Sequence, residues 1–193
     1  MKMAVLAVLA LAISFAGCSI PNIPIDFRDR PPPEYHAHAD LKVTINGETF
    51  DFNRAQYMSY PGHDLSPFVH MHDYNPKVVH FHSETATLGD FFASVGMAID
   101  GRCLDTGSGE FCSDGRRNLL VYVNTIPLLL DYNTYVPQDL DRILVYYGEG
   151  PPTQQTLNSV TREACIYSQK CLPPLGFRLP YESCSGTGPC RAQ

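Results

Sequence analysis

From residue 35 the chain alternates apolar and polar positions. Tyr35, Ala37, Ala39, Leu41, Val43 and Ile45 interleave with His36, His38, Asp40, Lys42, Thr44 and Asn46. A strand sends successive side chains to opposite faces, so period two predicts a long, half-buried strand with one apolar and one polar face. Asn46-Gly47 suits a type I′ hairpin turn, whose two central residues both need positive φ, and residues 48–52 are expected to return as a second strand. Residues 53–67, holding Pro61-Gly62 and Ser66-Pro67, read as loop.

The same parity resumes in Val69-His70-Met71-His72 and, after a turn over 73–77, in Val79-His80-Phe81-His82. A hairpin with an odd loop sets His72 opposite His80 and His70 opposite His82. Thr87-Leu88-Gly89-Asp90 has the spacing of a capping box. Leu88, Phe91, Phe92 and Val95 fall on one helical face, and Gly96 suits the stop. Residues 98–118 form a Gly-rich excursion with two cysteines, and strands are predicted over 119–124 and 142–147. The expected fold class is α+β: a mixed sheet with one short helix over 35–148, followed by an irregular, disulfide-stapled tail over 149–193.

The order of hairpin, hairpin, helix and closing strands ends in Asp139-Leu140-Asp141-Arg142-Ile143. This order resembles the β-grasp folds, especially the transcobalamin-like C-terminal and ThiS-like sulfur-carrier domains, and implies a β-grasp-like sheet. The chain lacks the Gly-Gly terminus of a sulfur carrier, which removes that chemistry. The His-rich segment also resembles exported prokaryotic proteins, some of them called protein-disulfide isomerases. No cysteine pair here has the C-x-x-C spacing of a thioredoxin-type centre or a zinc ribbon.

The first residues change the picture of where the domain works. Residues 4–16 are an unbroken apolar run behind Lys2, too short for a spanning helix of ~20 residues and suited to a signal peptide over 1–17. The run ends in Ser14-Phe15-Ala16-Gly17-Cys18, which resembles a bacterial lipobox and implies lipidation of Cys18. Residues 18–34, with Pro31-Pro32-Pro33, then read as a stiff tether. The expectation is an exported lipoprotein, held by its lipid at the outer face of the cytoplasmic membrane, or else a periplasmic or extracellular protein. There cysteines are oxidised. Cys103 is expected to bond Cys112, while Cys165, Cys171, Cys184 and Cys190 pair among themselves. Their spacings favour Cys165–Cys171 with Cys184–Cys190.

A length of 193 residues bounds the chain to one ordinary domain with appendages, and 44% hydrophobic with 18% charged residues is globular. The net charge of −6 supplies no basic stripe to neutralise phosphates, which argues against nucleic acid as a partner.

All seven histidines lie between His36 and His82, and six of them form three H-x-H pairs. Residues i and i+2 of a strand share a face. If Val69, Met71, Val79 and Phe81 face the core, then His70, His72, His80 and His82 share the opposite face, and His36 and His38 join if their strand lies alongside. Cross-strand Cβ atoms are ~5 Å apart, within coordinating reach. The candidate metal ligands are therefore His36, His38, His63, His70, His72, His80 and His82. Glu84, which continues the even parity, is an oxygen ligand or an orienting group. All-imidazole ligation suits zinc or copper, with zinc slightly favoured. Met71 falls on the core parity and is read as packing.

Two function classes follow. One is a metal-binding module that captures, buffers or senses zinc or copper, its protein partner unknown. The other is a zinc hydrolase or lyase in which three histidines hold a metal-activated water, with Glu84 or Asp64 as base. The His80-Phe81-His82 pair is similar to part of the α-carbonic anhydrase site over those three residues. A structural surface protein, a thiol-disulfide protein and a histidine pH sensor are the further readings.

Overall fold

Residues 35–179, 182–183 and 191–192 are described by the computed structural model, and all belong to the unit Pro31–Gln193. Strand β1 (Ala37–Ile45) turns through Asn46 and Gly47, both at positive φ (52° and 91°), as the type I′ pair requires. The return strand β2 (Glu48–Thr49) is shorter than expected. The chain leaves the ladder so that Phe52 can enter the core beside Tyr57, with ring centroids 5.4 Å apart. The stretch 53–67 is loop apart from a 3-10 turn at Ala55–Tyr57.

Strands β3 (Val69–His70) and β4 (Val78–Phe81) form the second hairpin. Helix α1 (Leu88–Ser94) follows, and its capping box is made on both sides by Thr87 and Asp90. Gly96 stops it at φ 73°. The excursion folds into its own small sheet, β5 (Ala98–Ile99), β6 (Cys103–Asp105) and β7 (Glu110–Cys112), closed by the Cys103–Cys112 disulfide. Strands β8 (Arg117–Val123), β9 (Ile126–Pro127) and β10 (Arg142–Glu149) complete the main sheet.

The main sheet runs β3-β4-β1-β10-β8-β9, with β2 added to β1. β1 and β10 are parallel and central, in a register from Asp40↔Arg142 to Ile45↔Tyr147, and the other pairs are antiparallel, so the sheet is mixed. One face carries the odd-numbered apolar residues of β1, β3 and β4 and packs on Leu88, Phe91 and Phe92 of α1. This is the core that the alternation predicts.

The opposite face corrects two expectations. β1 is buried on both sides: His38, Asp40 and Thr44 are as covered as Ala39 and Val43. The cover comes from the segment expected to be an irregular tail, which forms helices α2 (Gln154–Asn158) and α3 (Ala164–Tyr167). Polar contacts dock it. Arg142 donates to the carbonyls of Asn158, Val160 and Thr161. Buried Asp40 accepts from the Thr161 hydroxyl and from the Glu163 and Ala164 amides. Val78, an even residue among histidines, packs with Ala164 and Tyr167 in a small second cluster. No periodicity within 149–171 announces this layer, because short helices pinned by single polar contacts leave none.

Cys165 is bonded to Cys171, as its spacing suggests. A two-stranded ribbon joins β11 (Glu182–Ser183) to β12 (Arg191–Ala192). Cys184 and Cys190, and the leader, Cys18 and tether over 1–34, lie outside the described residues.

Candidate metal centre

Three adjacent strands carry the histidines to one face. β1 pairs with β4 so that His38 lies opposite His80, and β4 pairs with β3 so that His70 lies opposite the same His80. The expected hairpin register is thus shifted by two residues, while the shared face is kept because a two-residue shift preserves parity. The cause lies in the connection. Its ladder ends at His70, His72 bridges to Ser59 instead, and Asp73 and Tyr74 turn the chain at φ 56° and 53°.

The rings nevertheless meet in the expected pairs. His72 and His80 have centroids 3.8 Å apart, and His70 and His82 4.9 Å apart, whereas the ladder partners His70 and His80 stand at 6.4 Å. Diagonal neighbours across a ladder are within reach of long side chains, and here the rings lean to them. His36 precedes β1 and lies 4.3 Å from His82 and 4.9 Å from His38, which in turn lies 4.7 Å from His80. Six imidazoles therefore form a closed circuit, His36–His38–His80–His72–His70–His82. Within it His36, His38 and His80 offer ligand nitrogens that all lie within 4.8 Å of one another. His38, His70, His72 and His80 are buried, His82 is half-buried and His36 is exposed.

Hydrogen bonds set the tautomers. His70 Nδ1 is 2.6 Å from the Ser66 carbonyl and His72 Nδ1 is 2.5 Å from Asp73 Oδ2. A carbonyl or carboxylate oxygen accepts only, so each Nδ1 carries a proton, and in the neutral ring Nε2 keeps the lone pair that a metal needs. His38 Nδ1 lies 2.8 Å from Ser168 Oγ, whose hydroxyl donates to Asp139. With that proton committed, Ser168 accepts from His38 Nδ1, which leaves Nε2 as the nitrogen that could hold a metal. Asp139 also accepts from the His38 amide and from Lys170 Nζ at 2.6 Å. Burial raises the Asp139 pKa, but the hydrogen bonds from Lys170, Ser168 and the His38 amide outweigh it and hold the carboxyl below its ordinary range.

Tyr167 of α3 covers the buried side, its ring edge-on to His80 at 4.9 Å and 5.8 Å from His38. Its hydroxyl accepts from Asn75 Nδ2 at 3.0 Å. Nothing in the sequence marks Tyr167, Ser168 or Asp139 as neighbours of the histidines: they approach His38 from 101 to 130 residues away, and local pattern carries no trace of that. Asp73 directly follows His72, and this was the one legible signal.

Other predicted members stand apart. His63 stacks on Tyr60, with centroids 4.9 Å apart, on the 58–67 loop. Glu84 is exposed after a turn at 83–86 ends the strand parity, and Asp64 is exposed beside His63. Met71 is wholly buried in the core, as its parity required. Cys103, Glu110 and Cys112 also cluster, but the two sulfurs are bonded to each other and offer no thiolate.

Compared with known proteins, the chain matches no family model, no curated protein and no solved structure, so the site is read from its own geometry.

Proposed function

We propose that this chain is an exported, membrane-anchored protein that binds a divalent transition metal, zinc or copper, through His36, His38 and His80. The observation that carries the reading is the convergence of those three imidazoles, two buried and one exposed, with His38 oriented from behind by Ser168 and Asp139. Imidazoles bunched without an ion gain nothing and repel once protonated near an intrinsic pKa of ~6.5. Ligating histidines characteristically donate their second nitrogen to an oxygen acceptor, as His38 does. Nitrogen-only ligation selects zinc or copper over the hard cations.

Three protein ligands leave a coordination position open. Exposure of His36 would give an ion access to the site from solvent, which suits capture and exchange. The framework proposed is β-grasp-like, supported by the parallel pairing of β1 with the late strand β10 and by the helix packed across them. Anchoring through a lipid on Cys18 accords with the apolar leader, and no helix among the described residues is long and apolar enough to cross a membrane.

Elemental analysis of protein purified without chelator, followed by zinc and copper competition, tests this reading. The expected result is bound zinc or copper that dialysis does not remove and that falls in amount in His36→Ala/His38→Ala protein. Metal-free protein that takes up neither ion overturns it.

A further inference from the structure

One ion takes three or four imidazoles, yet six are in ring contact. With His36, His38 and His80 assigned to the first ion, His70, His72 and His82 are left. We propose that these three form a second metal site beside the first, so that the protein holds a pair of zinc- or copper-class ions. The proposal rests on the metal-binding reading of the first site.

The second set is contiguous along the circuit: His72 and His70 have ring centroids 5.5 Å apart and His70 and His82 4.9 Å apart, against 4.9 Å and 4.7 Å within the first set. Among the described residues only the first set has its ligand nitrogens all within 4.8 Å of one another, so an ion in the second would draw its rings together. Two of its members, His70 and His72, are buried to 2% and 1% exposure, which surface histidines are not. Both have Nδ1 fixed as donor, by the Ser66 carbonyl and the Asp73 carboxylate, so the neutral rings present Nε2 as a lone pair. These are the orienting contacts of metal ligands, duplicated in the half of the circuit that the first ion does not use.

Each set has one carboxylate behind it, Asp139 (shared with Lys170) through Ser168 on His38, and Asp73 directly on His72. The sets touch at two points, His72 against His80 at 3.8 Å and His82 against His36 at 4.3 Å, so the two ions are neighbours.

The test is a Cu²⁺ titration of the full-length apo-protein at pH 7.5, with bound metal counted after gel filtration and the electron paramagnetic resonance spectrum recorded at each step. Two equivalents are expected, and the second should lower the spin count per copper because adjacent Cu²⁺ ions couple. His70→Ala/His82→Ala protein should bind one equivalent with an uncoupled spectrum. His82→Ala alone, at a half-buried position, should do the same should the double variant fold poorly. A wild type that binds one equivalent, with the variants binding the same, overturns the second site and leaves the first standing. Binding of none overturns both.

Discussion

His72 and His80 have the shortest ring separation in the histidine circuit, 3.8 Å, although the backbone ladder pairs His80 with His70 and not with His72. The contact is made by side chains reaching diagonally, and it depends on what holds the His72 ring. That is Asp73, whose carboxylate accepts from Nδ1. Asp73→Ala should free the ring to rotate and to exchange tautomers. The expected loss of metal affinity is ~10–100-fold, together with a lower metal-free melting temperature, because buried His72 loses its acceptor and Ala is disfavoured at φ 56°. Competition against a calibrated chelator reads the affinity, and an unchanged value removes Asp73 from the site.

Asp40 is a different kind of residue. It is 1% exposed and accepts three hydrogen bonds from the 161–164 segment, so it ties α3 to β1. Asp40→Ala leaves those donors without their acceptor, at a cost of about 3 kcal/mol. The layer that carries Tyr167 and Ser168 should loosen, so metal affinity should fall together with the melting temperature. A variant that melts lower but holds metal as the wild type does would separate the layer from the site.

The two described disulfides should act on different properties. Each closes a short loop, worth about 2–3 kcal/mol by chain entropy. Cys103–Cys112 staples the small β5–β7 sheet, and Cys165–Cys171 brackets Tyr167, Ser168 and Lys170 over the histidines. Cys103→Ser/Cys112→Ser should lower stability and spare metal affinity, whereas Cys165→Ser/Cys171→Ser should weaken both. Equal effects of the two pairs on affinity would contradict this division.

Much of this was legible in the chain. Period two in 35–45, 69–72 and 79–82 put every H-x-H pair on one face, and Asn46-Gly47 marked its turn. The register of β3 was not legible, because left-handed backbone at Asp73 and Tyr74 sets it rather than any hydrophobic pattern. Nor was the burial of the histidine face. Polarity in a strand is read as exposure to water, and here the polar face is covered by 150–171 through Asp40, Arg142 and Tyr167, partners that lie far apart in sequence. For the same reason His80 is fully buried rather than set on an open polar face, and truncating it would leave a gap beneath Tyr167.

His36 is the exposed member of the proposed site and makes the cleaner pH test. Imidazole must be neutral to ligate, so binding releases protons and weakens as pH falls. Metal that binds only the folded state adds about 2.7 kcal/mol at a hundredfold excess over Kd. Zinc or copper should therefore raise the melting temperature at pH 7.5, and most of that gain should vanish at pH 5. His36→Ala should reduce the gain at pH 7.5 and leave the metal-free melting temperature unchanged. Asp139 does not cause the loss. Its folded pKa is depressed, so its contribution is present above the unfolded carboxylate value of ~3.9 and is lost only as pH falls through the lower folded value. A melting temperature at pH 7.5 that neither metal moves contradicts ligation.

The most direct measurement is X-ray absorption at the metal edge of the loaded wild-type protein. Ligation by the histidine circuit predicts a first shell dominated by nitrogen at ~2.0–2.1 Å for zinc, with the outer-shell scattering of imidazole rings and no sulfur. A first shell containing sulfur, or one of oxygen alone without imidazole scattering, would place the metal elsewhere and contradict the account.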